Sequence, residues 1–535
     1  MVKRKREDLQ AARAKTEKNA RFASDAATKK SKKSSETSES IASPKTGSVV
    51  KKSSSAAVKN GETTALDARS EQLSIQIVTG SYERVLHGFV ATFPTNRITQ
   101  KTTAKSDKDA AATADTKLAV TDTFLFAAHS SALRCLALSP PTEAHKRILA
   151  TGSTDERINL YNLSTSPPVT SNEPQLPSLA NTSIAENSRN RELGSLLHHA
   201  RSVNKLQFPT KGKLFSAADD NTVAISRTRD WTVLSTIKCP IPKPVGRPSG
   251  DTAGPGEVPA GVNDFAIHPS MKVMVSVGKG EKSMRLWNLV TGKKAGVLNF
   301  DRELLQAVGE GRYGSGEGRK VLWSEDGEEY IVGFERGAVI YGMDSVPKAT
   351  IRPSPLTKIH QMHFLPASHV PEGHSLLAVS TEDGRIMLYD VKKLTAPSSP
   401  KQKFASCEAI AQIGGVASGF IGRIKDFVVL PAAADDAGVT APLLIVTGSS
   451  DGAVRVWKFS ASELSAPAEV EGDEEIAKAA GEHAQVGTLI GAHETGHRIT
   501  CLAAFVMDGP TEQQDSEEDE DEDGAVDEVS ASDSE

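Results

Sequence analysis

Cysteine is scarce: four residues in 535, at Cys135, Cys239, Cys407 and Cys501, and no two of them form a CxxC pair. Neither a disulfide framework nor a zinc site has its ligand spacing here, and a reducing compartment is the simplest setting. Long apolar runs are missing too. Nothing approaches the ~18 residues of a membrane span, and the opening MVKRKR leads into no hydrophobic stretch of the kind a signal peptide needs. Secretion and membrane insertion are not expected. Catalytic motifs are equally thin. GxSxG is spelt only by GSSDG at 448–452, a turn between two strands and not the strand-to-helix elbow of a nucleophile. Gly309, Gly311 and Gly314 spell GxGxxG, but a phosphate cradle needs a helix N-terminus immediately afterwards, and SGEGRKVLWSEDG reads as loop and strand. The thirteen histidines form no metal pattern. His360 and His363 are three apart, a spacing that on a strand places them on opposite faces. No metal, no cofactor and no enzymatic activity are expected.

What is present is charge, unevenly distributed. Residues 1–60 hold 16 Lys and Arg against 6 Asp and Glu, and residues 508–535 hold 14 Asp and Glu with no Lys or Arg, so a net charge of -5 conceals +10 at one end and -14 at the other. Both ends lack the apolar residues that offset chain entropy. Residues 1–73 are therefore read as a disordered basic tail and 508–535 as a disordered acidic one, flanking a near-neutral body over 74–507.

The body repeats. Residues 148–163, ILATGSTDERINLYNL, consist of an apolar strand, a small-residue turn bearing an acid, and a second strand with an aromatic near its end; residues 444–459, LIVTGSSDGAVRVWKF, follow the same plan. Five weaker copies make seven, marked by the turn acids Glu83, Asp155, Asp220, Glu281, Glu335, Asp383 and Asp451. Their separations of 72, 65, 61, 54, 48 and 68 residues exceed the roughly 40–45 of a minimal four-stranded propeller repeat. Insertions must fill the difference, and polar or Pro/Gly-rich stretches at 94–117, 164–195, 240–261, 394–418 and 461–487 supply them at the rims. The last copy, HRITCLAAF from His497, has no second half, while residues 75–93 are a strand pair with no first half. An all-β, seven-bladed WD40 propeller follows, closed by joining the N-terminal strands to the C-terminal strand, which leaves no free edge at the seam. Such a ring is expected to be monomeric.

In blades of this type the turn Asp accepts from a His of the preceding loop, the His bonds a Ser or Thr, and that hydroxyl reaches an aromatic on the next strand. A buried network of this kind fixes geometry because an unsatisfied member is costly. By spacing, one blade has the whole set, His129, Thr151, Asp155 and Tyr161. Another has Thr447, Asp451 and Trp457 without a His, and a third has His199, Ser216 and Asp220 with Ser226 at the aromatic position. Cys135 and Cys501 occupy matching places in RCLAL and TCLAAF and read as small core residues.

The basic head carries two clusters, Lys3, Arg4, Lys5 and Arg6, then Lys29, Lys30, Lys32 and Lys33. They suit nuclear import with a weak attraction for RNA. In the acidic tail Ser516 precedes EEDEDED, and Ser530 and Ser532 each stand three residues before an acid. These are candidate sites for an acidophilic kinase.

Six stretches carry a family resemblance: VTGSYERVLHGF at 78–89, ATGSTDERINLYNL at 150–163, SVNKLQFP at 202–209, DFAIHPS at 264–270, SVGKGEKSMRLWNLVTGKKAGVLNF at 276–300 and VTGSSDGAVRVW at 446–457. They resemble the maintenance-of-killer WD40 proteins of fungi and their animal relatives, the p21-activated-kinase-interacting proteins. The resemblance covers most of 74–507 and implies a non-catalytic scaffold of the nucleus and nucleolus, acting in large-ribosomal-subunit assembly and precursor rRNA maturation. The partners it implies are pre-ribosomal proteins, among them a ribosomal-protein-like assembly factor, and pre-rRNA. The animal branch implies the alternative of a signalling adaptor that binds and inhibits a p21-activated kinase. Long rim insertions and incomplete tetrads are where this chain departs from the family.

Overall fold

The body folds into short strands because its β-branched and aromatic residues come in runs of four to ten, broken by Gly, Asp, Asn and Pro, which suit tight turns. A computed structural model describes residues 72–95, 98, 118–142, 145–168, 183–184, 186–242, 260–311, 314–397, 402–416, 420, 422–432, 441–465 and 483–508. The basic clusters from Lys3 to Lys33 and the serines Ser516, Ser530 and Ser532 lie outside the described residues.

Seven antiparallel sheets form, each with four consecutive strands counted from the axis outward. Blade 1 is composite: Ile499–Val506 is innermost, followed by Gln72–Ser81, Val85–Pro94 and Ala119–Ala127. The join between the two ends is a full ladder from Ile75 opposite Val506 to Gly80 opposite Cys501, which is the closure expected from the orphan half-repeats. Blade 2 comprises Leu133–Leu138, Lys146–Ser153, Ile158–Ser164 and Arg191–Leu196; blade 3 comprises Val203–Thr210, Lys213–Ala218, Thr222–Arg227 and Val233–Lys238. Blade 4 runs Val262–Ile267, Val273–Gly278, Ser283–Asn288 and Lys293–Asn299; blade 5 runs Lys320–Trp323, Glu329–Gly333, Ala338–Gly342 and Pro347–Ile351. Blade 6 holds Ile359–Phe364, Leu376–Thr381, Arg385–Asp390 and Ala409–Gly414; blade 7 holds Ile424–Pro431, Leu443–Ser449, Ala453–Phe459 and Thr488–Glu494. Each innermost strand contacts that of the next blade, and the contacts return from blade 7 to blade 1.

No blade has a core of its own. Apolar side chains from adjacent blades interdigitate, as where Ile75, Ile77 and Phe89 of blade 1 meet Leu444, Val446 and Val456 of blade 7. A sheet covered on both faces loses the alternation of apolar and polar residues. Accordingly every residue of Leu443–Ser449 and of Ala338–Gly342 is buried, whereas the outermost strand Lys293–Asn299 is mostly exposed. Burying an aliphatic or aromatic side chain is worth about 1.5–3 kcal/mol, so these inter-blade seams are the main source of stability.

Three elements depart from the simple repeat. A six-residue helix, α1 (Arg302–Ala307), links blades 4 and 5 and buries Leu304 and Leu305 beside Phe300 and Phe334, whose rings meet edge-on at 4.9 Å. Among the described residues the GxGxxG glycines follow this helix and the next element is the strand Lys320–Trp323. Two rim insertions reach backward: Ser183–Ile184, from the insertion of blade 2, pairs in parallel with the outer strand of blade 1, and Ala405–Cys407, from that of blade 6, pairs in parallel with the outer strand of blade 5. Each covers an edge that would otherwise present unpaired N–H and C=O groups.

Candidate functional site

The innermost strands all start on the face that carries the turns between second and third strands, called here the upper face. The turn acids gather there for a local reason. Asp155, Asp220 and Asp451 each accept the backbone N–H two residues on, at 3.2, 2.9 and 3.0 Å, closing an Asx turn that a longer or apolar side chain cannot make. In five of the seven turns the residue after the acid takes a left-handed conformation. Gly384 and Gly452 do so at no steric cost, while Arg84, Glu156 and Asn221 do so with φ of 73, 72 and 61°.

In blade 2 the ring of His129 lies between acid and hydroxyl, with Nδ1 3.1 Å from Asp155 and Nε2 2.8 Å from Thr151 Oγ1. The carboxylate accepts from Nδ1–H, which leaves Nε2 to accept the Thr151 hydroxyl proton. Burial holds the imidazole below its ordinary pKa despite the pull of Asp155. Burial would raise the Asp155 carboxyl, yet hydrogen bonds from Ser130 and Arg157 and the neighbouring His129 hold it low. Tyr161 sits on the same strand face but packs edge-on against Phe126 at 5.7 Å, and the other polar contact of Thr151 Oγ1 is to the Asn159 carbonyl at 3.4 Å.

Blade 3 builds a denser cluster. His199 Nε2 is 2.7 Å from Ser216 Oγ, and Nδ1 is 3.1 Å from both Asp220 and Thr222. His198, unnoticed in the sequence, comes within 3.0 Å of the same Ser216 hydroxyl, and burial and His199 lower its pKa to about 4. Against the effect of burial, hydrogen bonds from His199, Thr222 and the Ala200 N–H hold the Asp220 carboxyl well below the carboxylate range. Ser226, where an aromatic would stand, is buried with its hydroxyl unpartnered.

Three other blades answer the turn acid with arginine, and sequence reading missed all three. Arg285 makes a two-point pair with Glu281 (Nη2 to Oε1, 2.6 Å). Arg455 Nη2 donates to Asp451 at 3.2 Å and Nη1 to Ser449 at 3.1 Å. Buried Arg385 donates through Nε to Asp383 at 2.8 Å and through Nη1 to the Ser354 carbonyl at 3.0 Å. A signal existed in blades 4 and 7, where Arg follows the acid by four residues. Thr447 bonds the Arg455 carbonyl, at 3.2 Å, and Trp457 stacks edge-on with Phe420. The aromatic-to-hydroxyl link is formed in blade 4, where Trp287 Nε1 donates to Ser276 Oγ at 2.8 Å.

Beneath the turns lies a belt that the strand pattern did not disclose. In six blades the innermost strand slips register near its second residue, leaving Arg134, Asn204, Asn263, His360, Lys425 and Thr500 without a partner on the second strand. A bulge re-aims side chains, and five of these six reach the next blade. Arg134 donates to Ser202 at 3.3 Å, Asn204 to the Val262 carbonyl at 2.8 Å, Asn263 to the Gly318 carbonyl at 2.9 Å and Thr500 to the Leu133 carbonyl at 2.8 Å, while His360 accepts from Lys425 at 3.4 Å. The bulge also overturns the expectation for His360 and His363. Strand alternation is broken between Ile359 and Met362, so both histidines turn toward blade 7, His363 meeting Phe427 edge-on at 4.9 Å.

Two aspartates bind the belt together. Asp264 accepts the Val321 N–H of blade 5 at 3.1 Å and faces Lys205 at 3.5 Å. Asp426 accepts the Leu502 N–H of blade 1 at 2.9 Å and the Gln361 amide of blade 6 at 3.1 Å. Burial raises the Asp426 carboxyl. Cys135 and Cys501 lie opposite Gly152 and Gly80; burial pushes the Cys135 thiol up to about 12 and that of Cys501 well above its ordinary value. Among the described residues no three His, Cys, Asp or Glu are grouped so as to hold a metal ion, and no helix is long and apolar enough to cross a membrane.

The chain is similar to p21-activated protein kinase-interacting protein 1-like of Danio rerio, 26% identical over 440 residues, covering 82% of each chain. The protein of the same name from Gallus gallus is 24% identical over 433 residues, 81% of this chain and 80% of that one. Protein MAK11 of Saccharomyces cerevisiae is 27% identical over 361 residues, 64% of this chain and 70% of its own. No family model matches.

Proposed function

We propose, for a chain that belongs to the family of the p21-activated-kinase-interacting proteins and Protein MAK11, a role as a non-catalytic WD40 scaffold in nucleolar assembly of the large ribosomal subunit and in precursor rRNA maturation. The observation that carries this reading is the similarity to Protein MAK11 over most of the propeller, joined to what the family resemblance implies. The architecture supports a docking role, because the polar groups of the belt are largely engaged in holding blade to blade. Rim loops are then the surface left to vary, where recognition residues tend to lie. Pre-ribosomal proteins dock on the rims in this reading, one of them a ribosomal-protein-like assembly factor, and pre-rRNA lies within reach. The propeller spans 74–507 and works as a monomer. The basic head, through Lys3 to Arg6 and Lys29 to Lys33, directs the protein to the nucleus, and Ser516, Ser530 and Ser532 receive phosphate. Depletion should lower large-subunit levels and accumulate their rRNA precursors; unchanged levels of both would remove the proposal.

The names of the Danio rerio and Gallus gallus relatives favour a second reading, an adaptor that binds and inhibits a p21-activated kinase. Purification of the tagged protein separates the two. The scaffold brings down pre-ribosomal proteins and the adaptor brings down the kinase.

A further inference from the structure

The upper mouth of the propeller axis between blades 5 and 1 concentrates positive charge. Lys320, Lys358, Arg423, Lys425 and Arg498 all stand at or just before the start of an innermost strand, and the acids at this level are already engaged. Glu335 pairs with Lys358 at 2.8 Å and Arg319 at 3.5 Å, and Glu382 with Arg423 at 3.2 Å. Asp264 and Asp426 hold the belt through backbone N–H groups. The guanidinium of Arg498 lies over the exposed ring of Tyr82 at 5.7 Å. Among the described residues Lys320 and Lys425 have no carboxylate within ion-pair distance. The Lys425 ammonium donates to the Nε2 atom of His360, at 3.4 Å.

This arrangement is costly to fold. Burial depresses the Lys425 ammonium, and Arg423, Arg498 and Lys358 push it further, with Glu382 pulling the other way. Burial likewise lowers His360 to about 4, with Lys425, Arg423, Lys320 and Lys358 acting in the same sense. His360 is therefore a neutral spacer inside a cationic group and relieves none of its charge. Five cations here face two paired carboxylates, Glu335 and Glu382, and like charges that outnumber their counter-ions create a positive potential from which an incoming anion gains.

We infer that this mouth binds an acidic peptide segment of a protein partner, its Asp or Glu side chains reaching Lys320 and Lys425. The chemistry favours carboxylates of a peptide over a nucleic acid strand. The free cations are recessed on strands that line the axis, whereas sequence-independent binding of single strands relies on a groove that tracks the backbone with aromatic platforms for the bases. The one exposed aromatic noted beside the cluster, Tyr82, is already covered by Arg498. The inference concerns the propeller mouth and does not depend on the ribosomal reading.

Fluorescence anisotropy of the full-length protein tests it, using a fluorescein-labelled peptide of alternating Asp and Glu, a Lys/Arg peptide of the same length, and a single-stranded RNA of matched charge. The acidic peptide should bind, lose affinity steeply with salt as exposed charges are screened, and raise the melting temperature of the wild-type protein. The double variant Lys320→Gln and Lys425→Gln should bind at least about tenfold more weakly, in the range expected for losing two charge contacts. Exchanging the exposed Lys293 and Lys294 of the outer strand of blade 4 for Gln should change nothing. Removing like-charge repulsion should leave the double variant no less heat-stable than wild type, so lost binding is separable from lost folding. If it does melt lower, the salt-sensitive stabilisation of wild-type protein by the acidic peptide, absent with the Lys/Arg peptide, decides the matter. Failure of the wild type to bind the acidic peptide, equal binding by the double variant, or preference for the RNA overturns the proposal.

Discussion

Replacing Asp426 is the sharpest test of how the ring is held. Its carboxylate accepts from Leu502 N–H at 2.9 Å, from the Gln361 amide at 3.1 Å and from its own neighbour Phe427 N–H at 3.0 Å, so one side chain joins blades 6, 7 and 1 beside the seam. Asp426→Ala leaves two inter-blade donors without an acceptor in a buried site. At about 1–3 kcal/mol for each unsatisfied buried donor, the loss should be about 3 kcal/mol. Asp426→Asn keeps one acceptor for Leu502, and a rotation of the Gln361 amide can turn its oxygen toward the new NH2, so the cost should be about 1 kcal/mol. The pH dependence supplies a second readout. Burial raises the folded-state pKa of Asp426, so its carboxyl stabilises the fold more below its ordinary value than above its raised one, and the Asn variant lacks that term. The gap between wild type and Asp426→Asn should therefore widen as pH falls through the raised pKa. Urea denaturation measures both effects. With a slope of about 3 kcal/mol per molar for a large domain, the Ala variant should unfold about 1 M earlier. A midpoint within about 0.2 M of wild type, or an Asn variant as damaged as the Ala variant, would refute the reasoning.

Other outcomes follow from the same geometry. A Cβ on Gly152 would lie 2.7 Å from Cys135 Sγ and 2.9 Å from Val203 Cγ1, so Gly152→Ala should cost about 1–3 kcal/mol by overpacking, whereas Gly296→Ala, on an outer strand with nothing within 4 Å, should not destabilise; adding Cys135→Ala should recover only part of the loss, as a double-mutant cycle in urea will report. The folded-state pKa values of His129, His198, His360 and His363 are all lowered, the last three to about 4, 4 and 3. The unfolded chain then binds more protons below about 6.5, and thermal stability should decline from there toward pH 4, with a shallower decline in His363→Gln. Cys135 and Cys501, with raised thiol pKa values and buried surroundings, should resist iodoacetamide in folded protein and react on unfolding, as mass spectrometry will show.

The fold was legible because the repeat is written in turn chemistry. The turn acid recurs seven times, closing an Asx turn at Asp155, Asp220 and Asp451, and the half-repeats at 75–93 and 497–505 could only complete each other. The hydroxyl and acid of the His199, Ser216 and Asp220 cluster were legible likewise, because Ser216 and Asp220 stand four residues apart as Thr151 and Asp155 and Thr447 and Asp451 do. The belt was opaque for a physical reason. A bulge adds one unpaired residue and shifts face alternation, which is why His360 and His363 turn to the same neighbour, and nothing in the apolar pattern around RCLAL or IKDF marks where the slip falls. The arginines escaped notice because the expected partner of each acid was a histidine on the preceding loop, while Arg285, Arg385 and Arg455 reach it from the following strand. A repeated acid-then-Phe signature, VNDF at 262–265 and IKDF at 424–427, does encode the two belt aspartates once their role is known. The backward pairing of 183–184 and 405–407 was not legible, since two or three extended residues inside a polar insertion carry no pattern.

The ladder between Gln72–Ser81 and Ile499–Val506 also makes the ring a check on completeness during synthesis. The ribosome delivers the second, third and fourth strands of blade 1 first, ending at Ala127, and its innermost strand only from Ile499. Until then the inner edge of Gln72–Ser81 has no partner, and a chain halted anywhere before Ile499 carries that adhesive edge for good. Unfinished molecules thus remain recognisable to chaperones and proteases, and only a chain read through its final strand conceals the mark.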